Sequence, residues 1–184
     1  MFLLSTTNLP NLITLLRILL MPFYAATLLY NEYLYALILF ASAGVTDVLD
    51  GYIARLKRQV SNFGTILDPI ADKFILITSF ILLTTNGIIP KWLTIIVISR
   101  DIIVITGVLI LYFATNRMRV EPSLLGKASN ILQYLLIGLT LLSINLKGRS
   151  ILPLPYLILV AALTALSGLQ YVYRGLRVVE TEGI

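Results

Sequence analysis

The chain has 184 residues, 58% of them hydrophobic and only 12% charged, with a formal net charge of +5. A soluble domain of this length carries about a quarter charged residues, so the composition points to lipid as the main solvent. Cysteine and histidine are both absent, which excludes disulfides, thiolate metal sites, cysteine nucleophiles and imidazole acid–base chemistry.

Apolar runs occupy residues 11–30, 33–54, 68–87, 92–115, 124–146 and 152–173. Each is close to the roughly 20 residues that an α-helix needs to cross a bilayer. The pattern predicts an all-α integral membrane protein, a six-transmembrane-helix bundle with short loops, folded as a single domain over 1–184. The connections around Asn31, Arg55 to Asn62, Gly87 to Lys91, Asn116 to Ser123 and Lys147 to Ser150 are polar or hold Gly or Pro, as loops do. The start MFLLSTTNLPN has no basic segment and no small-residue cleavage site, so it does not read as a removable signal peptide.

With the N-terminus inside, the inner face collects Arg55, Lys57, Arg58, Arg117, Arg119, Arg174 and Arg177, against Lys91, Lys147 and Arg149 outside. That bias sets an N-in, C-in orientation and places Tyr30, Tyr33, Tyr35 and Trp92 at the outer interface. Positive charge spread between apolar runs suits a membrane surface, and no nucleic-acid partner is expected. Arg17, in the first run, reads as a snorkelling or packing residue.

Residues 47–73, DVLDGYIARLKRQVSNFGTILDPIADK, hold four aspartates in an otherwise apolar chain. Asp47 and Asp50 are three apart, Asp68 and Asp72 four apart, so each pair shares one helix face. A turn between them makes the second and third helices antiparallel neighbours whose carboxylates converge at the cytoplasmic end. That much negative charge at a membrane edge needs a cationic partner. Oxygen-only ligands suit Mg²⁺ or Mn²⁺, and two such ions can clamp a pyrophosphate. The small Gly51 and Ala54 leave room for a ligand against the helix, and Arg55 can hold a phosphate through two hydrogen bonds. A cation or proton transporter is the rival reading, because intramembrane carboxylates also line ion pathways.

Further on, Arg100 lies about 12 Å into the fourth helix, where a guanidinium needs an anion. Asp101 points about 100° away around the helix and is poorly aimed at it. Lys127, at the inner start of the fifth helix, is on the same side as the aspartates. Arg100 and Lys127 can together bind an acceptor phosphate; the alternatives are an ion pair for Arg100 and snorkelling for Lys127. Gly107 and Gly138 are candidate points of close helix contact.

Asp47, Asp50, Gly51, Ala54, Arg55, Gly64, Asp68 and Asp72 fit D-x2-D-G-x2-A-R-x8-G-x3-D-x3-D without a gap. Eight fixed identities coincide by chance on the order of once in 10¹⁰ start points. On this motif the chain resembles the CDP-alcohol phosphatidyltransferase family. The resemblance implies an integral-membrane enzyme, usually a homodimer, that moves a phosphatidyl group from CDP-diacylglycerol to an alcohol and releases CMP. It implies that Asp47, Asp50, Asp68 and Asp72 ligate two divalent cations and that Asp72 is also the general base. Gly51, Ala54, Arg55, Ser61 and Gly64 then seat the CDP portion, with Asn11 and Thr14 of "LPNLITLLR" as further candidates that serve equally well as turn and cap. The strings "NLPNLITLLRILLMP", "LDPIADK", "ISRD" and "PSLLGK" resemble the branch that uses phosphate-bearing glycerol acceptors. They lean toward phosphatidylglycerol, as in cardiolipin synthesis, with glycerol 3-phosphate as the alternative.

Overall fold

The computed structural model describes residues 9–57, 62–115, 123–150 and 152–182, with side chains described at 16–46, 72–108, 123–150, 152–175 and 177. The described residues form six α-helices and no strand: α1 (Leu9–Leu29), α2 (Tyr33–Lys57), α3 (Asn62–Thr85), α4 (Lys91–Thr115), α5 (Leu124–Lys147) and α6 (Leu154–Glu182). The helices match the apolar runs in number and order but overrun them at their polar ends. α3 starts at Asn62 rather than 68, α2 continues to Lys57, and α6 runs to Glu182. Hydropathy marks the stretch that suits lipid, whereas backbone hydrogen bonding carries a helix past it. Arg55, Lys57 and Gly64 therefore stand on helices and not in a loop.

Four helix ends are closed by local chemistry. After α1, Asn31 takes a left-handed φ of 61°. The amide of Glu32 then donates to the Thr27 carbonyl at 2.8 Å and that of Asn31 to Leu28 at 3.3 Å, the paired bonds of a Schellman motif. Gly87 and Gly148 have φ of 73° and 67° just past α3 and α5, where a side chain would be strained. α5 begins with Ser123, whose Oγ accepts from the Gly126 amide at 3.0 Å, an N-cap.

The chain divides into two compact units. In the first, Met1–Thr85 with Ile137–Ser150, α1 packs against both α2 and α3. Arg17 meets Asp72, and seven residues later in both helices Tyr24 meets Ser79. A common offset repeated after two turns means that α1 and α3 run parallel and in register. Leu28 and Leu83, four residues further along each helix, are fully buried. The second half of α5 runs antiparallel to α2: Gly138 packs on the Phe40 ring, and Asn145 Nδ2 donates to the Tyr33 carbonyl at 3.0 Å.

In the second unit, Asn86–Leu136 with Ile151–Ile184, α4 packs on α6. The first half of α5 lies antiparallel to α6, with Gly126 against Tyr171 and Gln133 Nε2 donating to Thr164 Oγ1 at 3.1 Å. Of the two glycines expected at close helix contacts, Gly138 does meet the Phe40 ring of α2, whereas Gly107 meets nothing among the described residues; Gly126 and Gly168 are packed more tightly, both against the Arg100 side chain.

Leu19, Phe23, Leu34, Ile95, Leu135 and Leu169 are all more than half exposed. Among the described residues, Leu124–Lys147 and Leu154–Gly175 are long and apolar enough to cross a membrane, and Leu16–Leu29 and Tyr33–Thr46 are shorter apolar helices. Tyr30, Tyr35 and Trp92 are exposed.

Candidate active site

The acid-bearing segments occupy the second part of α2 and the first part of α3. Asp47, Asp50, Gly51, Ala54 and Arg55 are α2 positions; Gly64, Asp68 and Asp72 are α3 positions. Continuous helix through both stretches gives the positions of each aspartate pair i, i+3 or i, i+4 spacing, which places the two positions on one helix face. Of these residues the described side chain is Asp72. Asn11 and Thr14 lie on α1 with side chains outside the described residues, and Ser61 lies outside the described residues altogether.

Asp72 Oδ1 accepts a hydrogen bond from Arg17 Nη1 at 3.0 Å, with the Arg17 side chain 2% exposed and that of Asp72 29%. Arg17 also lines a cavity of about 120 Å³, with Leu16, Leu20, Met21 and Tyr24 of α1, Leu39, Phe40, Ser42, Ala43 and Thr46 of α2, and Ile75 of α3. Thr46 immediately precedes Asp47 in the chain. One cleft thus gathers Arg17, the position before the first aspartate, and a residue one turn beyond the last. Arg17 is the residue that sequence reading undervalued. The available signal was a guanidinium in the middle of an apolar helix, which is costly in lipid unless an anion faces it.

The second unit holds the other buried cation. Arg100 is 6% exposed and Asp101 2%. Contrary to the expected poor aim, Arg100 Nη1 donates to Asp101 Oδ1 at 2.9 Å; the guanidinium is long enough to curl back to its chain neighbour. Its Nε and Nη2 donate to Ser167 Oγ at 3.2 and 2.8 Å, and its carbon centre sits 5.7 Å from the Tyr171 ring centroid. The side chain is wedged between Gly126 and Gly168. Lys127 is exposed. Arg100 is thus already paired and hydrogen-bonded, whereas Lys127 is exposed.

The donor set suits hard divalent cations: four carboxylates, no sulfur or imidazole, and one carboxylate, Asp72, partly open beside a buried guanidinium. Among the described residues no group of three or more acids is gathered, because the side chains of Asp47, Asp50 and Asp68 lie outside them.

Six helices carrying this motif on α2 and α3 describe a CDP-lipid transferase, and the family model for CDP-alcohol phosphatidyltransferase matches residues 7–170. The chain belongs to the CDP-alcohol phosphatidyltransferase family, and is thereby a transferase of phospholipid biosynthesis rather than a transporter. A probable phosphatidylglycerophosphate synthase of Mycobacterium tuberculosis (strain ATCC 25618 / H37Rv) is 34% identical over 179 residues, which cover 92% of this chain and 82% of that protein. The CDP-diacylglycerol–glycerol-3-phosphate 3-phosphatidyltransferase of Bacillus subtilis (strain 168) is 35% identical over 150 residues, 73% of this chain and 77% of that one. A CMP-forming cardiolipin synthase of Rattus norvegicus is 34% identical over 150 residues, 73% of this chain and half of that protein.

Proposed function

We propose that the whole chain is one membrane-embedded catalytic domain that moves a phosphatidyl group from CDP-diacylglycerol to the hydroxyl of a phosphate-bearing glycerol, releasing CMP. The observation that carries this reading is the complete eight-residue motif, set on α2 and α3 and lying wholly within the stretch matched by the family. The chain crosses the membrane six times with both termini inside, and the site opens to the cytoplasm. Alternation of helix direction within each unit supports this, as do the outward-facing leucines and isoleucines. A homodimer is the expected assembly.

Asp47, Asp50, Asp68 and Asp72 would hold two divalent cations, Mg²⁺ or Mn²⁺, which neutralise charge on the pyrophosphate and on departing CMP. Gly51, Ala54 and Gly64 leave space for the nucleotide, Arg55 binds its phosphate, and Ser61, Asn11 and Thr14 border it. Asp72 takes the proton of the acceptor hydroxyl as that oxygen bonds to the lipid-bearing phosphorus and the bond from phosphorus to CMP breaks. With no histidine in the chain, a carboxylate is the available base.

Phosphatidylglycerol is the first choice of acceptor, on the "ISRD" and "PSLLGK" strings. Glycerol 3-phosphate is the second reading, favoured by the relatives that align over most of their own length. Lys127, exposed at the start of α5, meets the acceptor phosphate; Arg100 joins it by exchanging its Asp101 contact. Purified protein given CDP-diacylglycerol, Mn²⁺ and labelled phosphatidylglycerol or glycerol 3-phosphate decides the matter. Labelled cardiolipin or labelled phosphatidylglycerophosphate names the acceptor, and absence of CMP with both acceptors defeats the reading.

A further inference from the structure

We infer that Arg17 is a positioning residue for Asp72: a buried guanidinium on α1 that fixes the direction of the α3 carboxylate. The inference rests on the proposed role of Asp72 as base. Arg17 Nη1 donates to Asp72 Oδ1 at 3.0 Å. An aspartate carboxylate turns broadly about its terminal bond, so tying Oδ1 to a fixed donor also sets where Oδ2 points. The donor is fixed because Arg17 is 3% exposed, held within the packed α1–α3 face. Water that could compete for the bond is largely kept out on that side, which strengthens it.

The pair is not needed to hold α1 on α3. Tyr24 with Ser79, and the buried Leu28 and Leu83 beyond them, already set that register. Removing the guanidinium alone is costly where the carboxylate left behind is fully buried, but the Asp72 side chain is 29% exposed and water can solvate it, so the loss of stability is expected to be small. What an apolar residue cannot supply is a hydrogen bond that directs a carboxylate left 29% exposed.

The test uses the full chain in lipid nanodiscs with Arg17→Met, Arg17→Lys and Asp72→Asn. Arg17→Met is expected to keep its melting temperature within a few degrees and to bind the same number of Mn²⁺ ions by electron paramagnetic resonance without lipid substrate. Its kcat is expected to fall about 10²-fold, the scale of a misplaced reacting group, while KM for CDP-diacylglycerol moves less than about threefold. Arg17→Lys, which can still reach the carboxylate, is expected to recover at least about a tenth of the lost rate. If Arg17→Met does not fold, Arg17→Gln is read by the same criteria. A kcat within about threefold of the parent in the neutral variant overturns the inference, and so does loss of Mn²⁺ binding, which would make Arg17 a support of the whole site. Activity surviving in Asp72→Asn instead defeats the reading of Asp72 itself; a dead Asp72→Asn beside an active Arg17→Met defeats the positioning role alone.

Discussion

The Tyr24 hydroxyl lies 2.6 Å from Ser79 Oγ, and the serine hydroxyl donates its own proton to the Ile75 carbonyl at 2.7 Å. Tyr24 must therefore be the donor between them. The two residues sit two helical turns beyond Arg17 and Asp72 on the same pair of helices, so one hydrogen-bonded seam runs from the acid-bearing end of α3 into its apolar body.

The asymmetry of that bond gives an order of effects. Tyr24→Phe leaves an oxygen that still donates elsewhere and should cost about 1 kcal/mol, whereas Ser79→Ala strands a buried tyrosine hydroxyl and should cost up to about 3 kcal/mol. Thermal unfolding in detergent compares them; equal losses would contradict the donor assignment.

Removing one member of the Arg100–Asp101 pair should be severe. Arg100→Ala leaves a carboxylate that is 2% exposed without this guanidinium, at about 3–5 kcal/mol. Arg100→Ala combined with Asp101→Ala should be less damaging than the two losses added. A double-mutant cycle on unfolding measures the coupling, and simple additivity would mean that the pair does not act as a unit.

Gly168→Ala tests the packing around that arginine. A methyl group there would stand 3.2 Å from Arg100 Cγ, close to the backbone and hard to displace. Overpacking of about 1–3 kcal/mol outweighs the gain of about 0.5–1 kcal/mol from replacing a helical glycine. The expected result is a modest fall in melting temperature; a rise would show that the arginine stem yields freely.

Lys127 offers the cleanest separation of binding from folding. It is exposed, so Lys127→Ala should leave the melting temperature unchanged. If it meets the acceptor phosphate, KM for the acceptor rises about tenfold, the scale of a lost charge-assisted hydrogen bond, with KM for CDP-diacylglycerol unaltered. An unchanged acceptor KM removes Lys127 from the site.

Helix number and order were legible because each long apolar run, bounded by polar, Gly or Pro connections, forms one helix. The family was legible because eight residues of fixed identity fell at fixed spacing. Tertiary partners were not. Arg17 and Asp72 are 55 residues apart, and no local pattern pairs them until α1 and α3 are known to run in parallel register. Arg100 misled in the opposite sense: helix geometry turns Asp101 away at the backbone, yet a long guanidinium stem bridges that angle. The glycines told the same lesson. Gly107 and Gly126 both lie within helices, and it is the arrival of Arg100 and Tyr171 from distant parts of the chain that packs Gly126 tightly.

The left-handed residues after α1, α3 and α5 bear on how the molecule is made. Asn31, Gly87 and Gly148 each stop a helix through bonds or backbone geometry within a few residues of themselves, so the reversal is encoded before any later segment leaves the ribosome. α1 and α2 can then pack on one another before α3 is made, and α3 docks on α1 afterwards. Arg17 belongs to the earlier pair and Asp72 to the helix that joins it. Their bond therefore forms only at that docking, and enzymatic competence would arrive as a product of assembly.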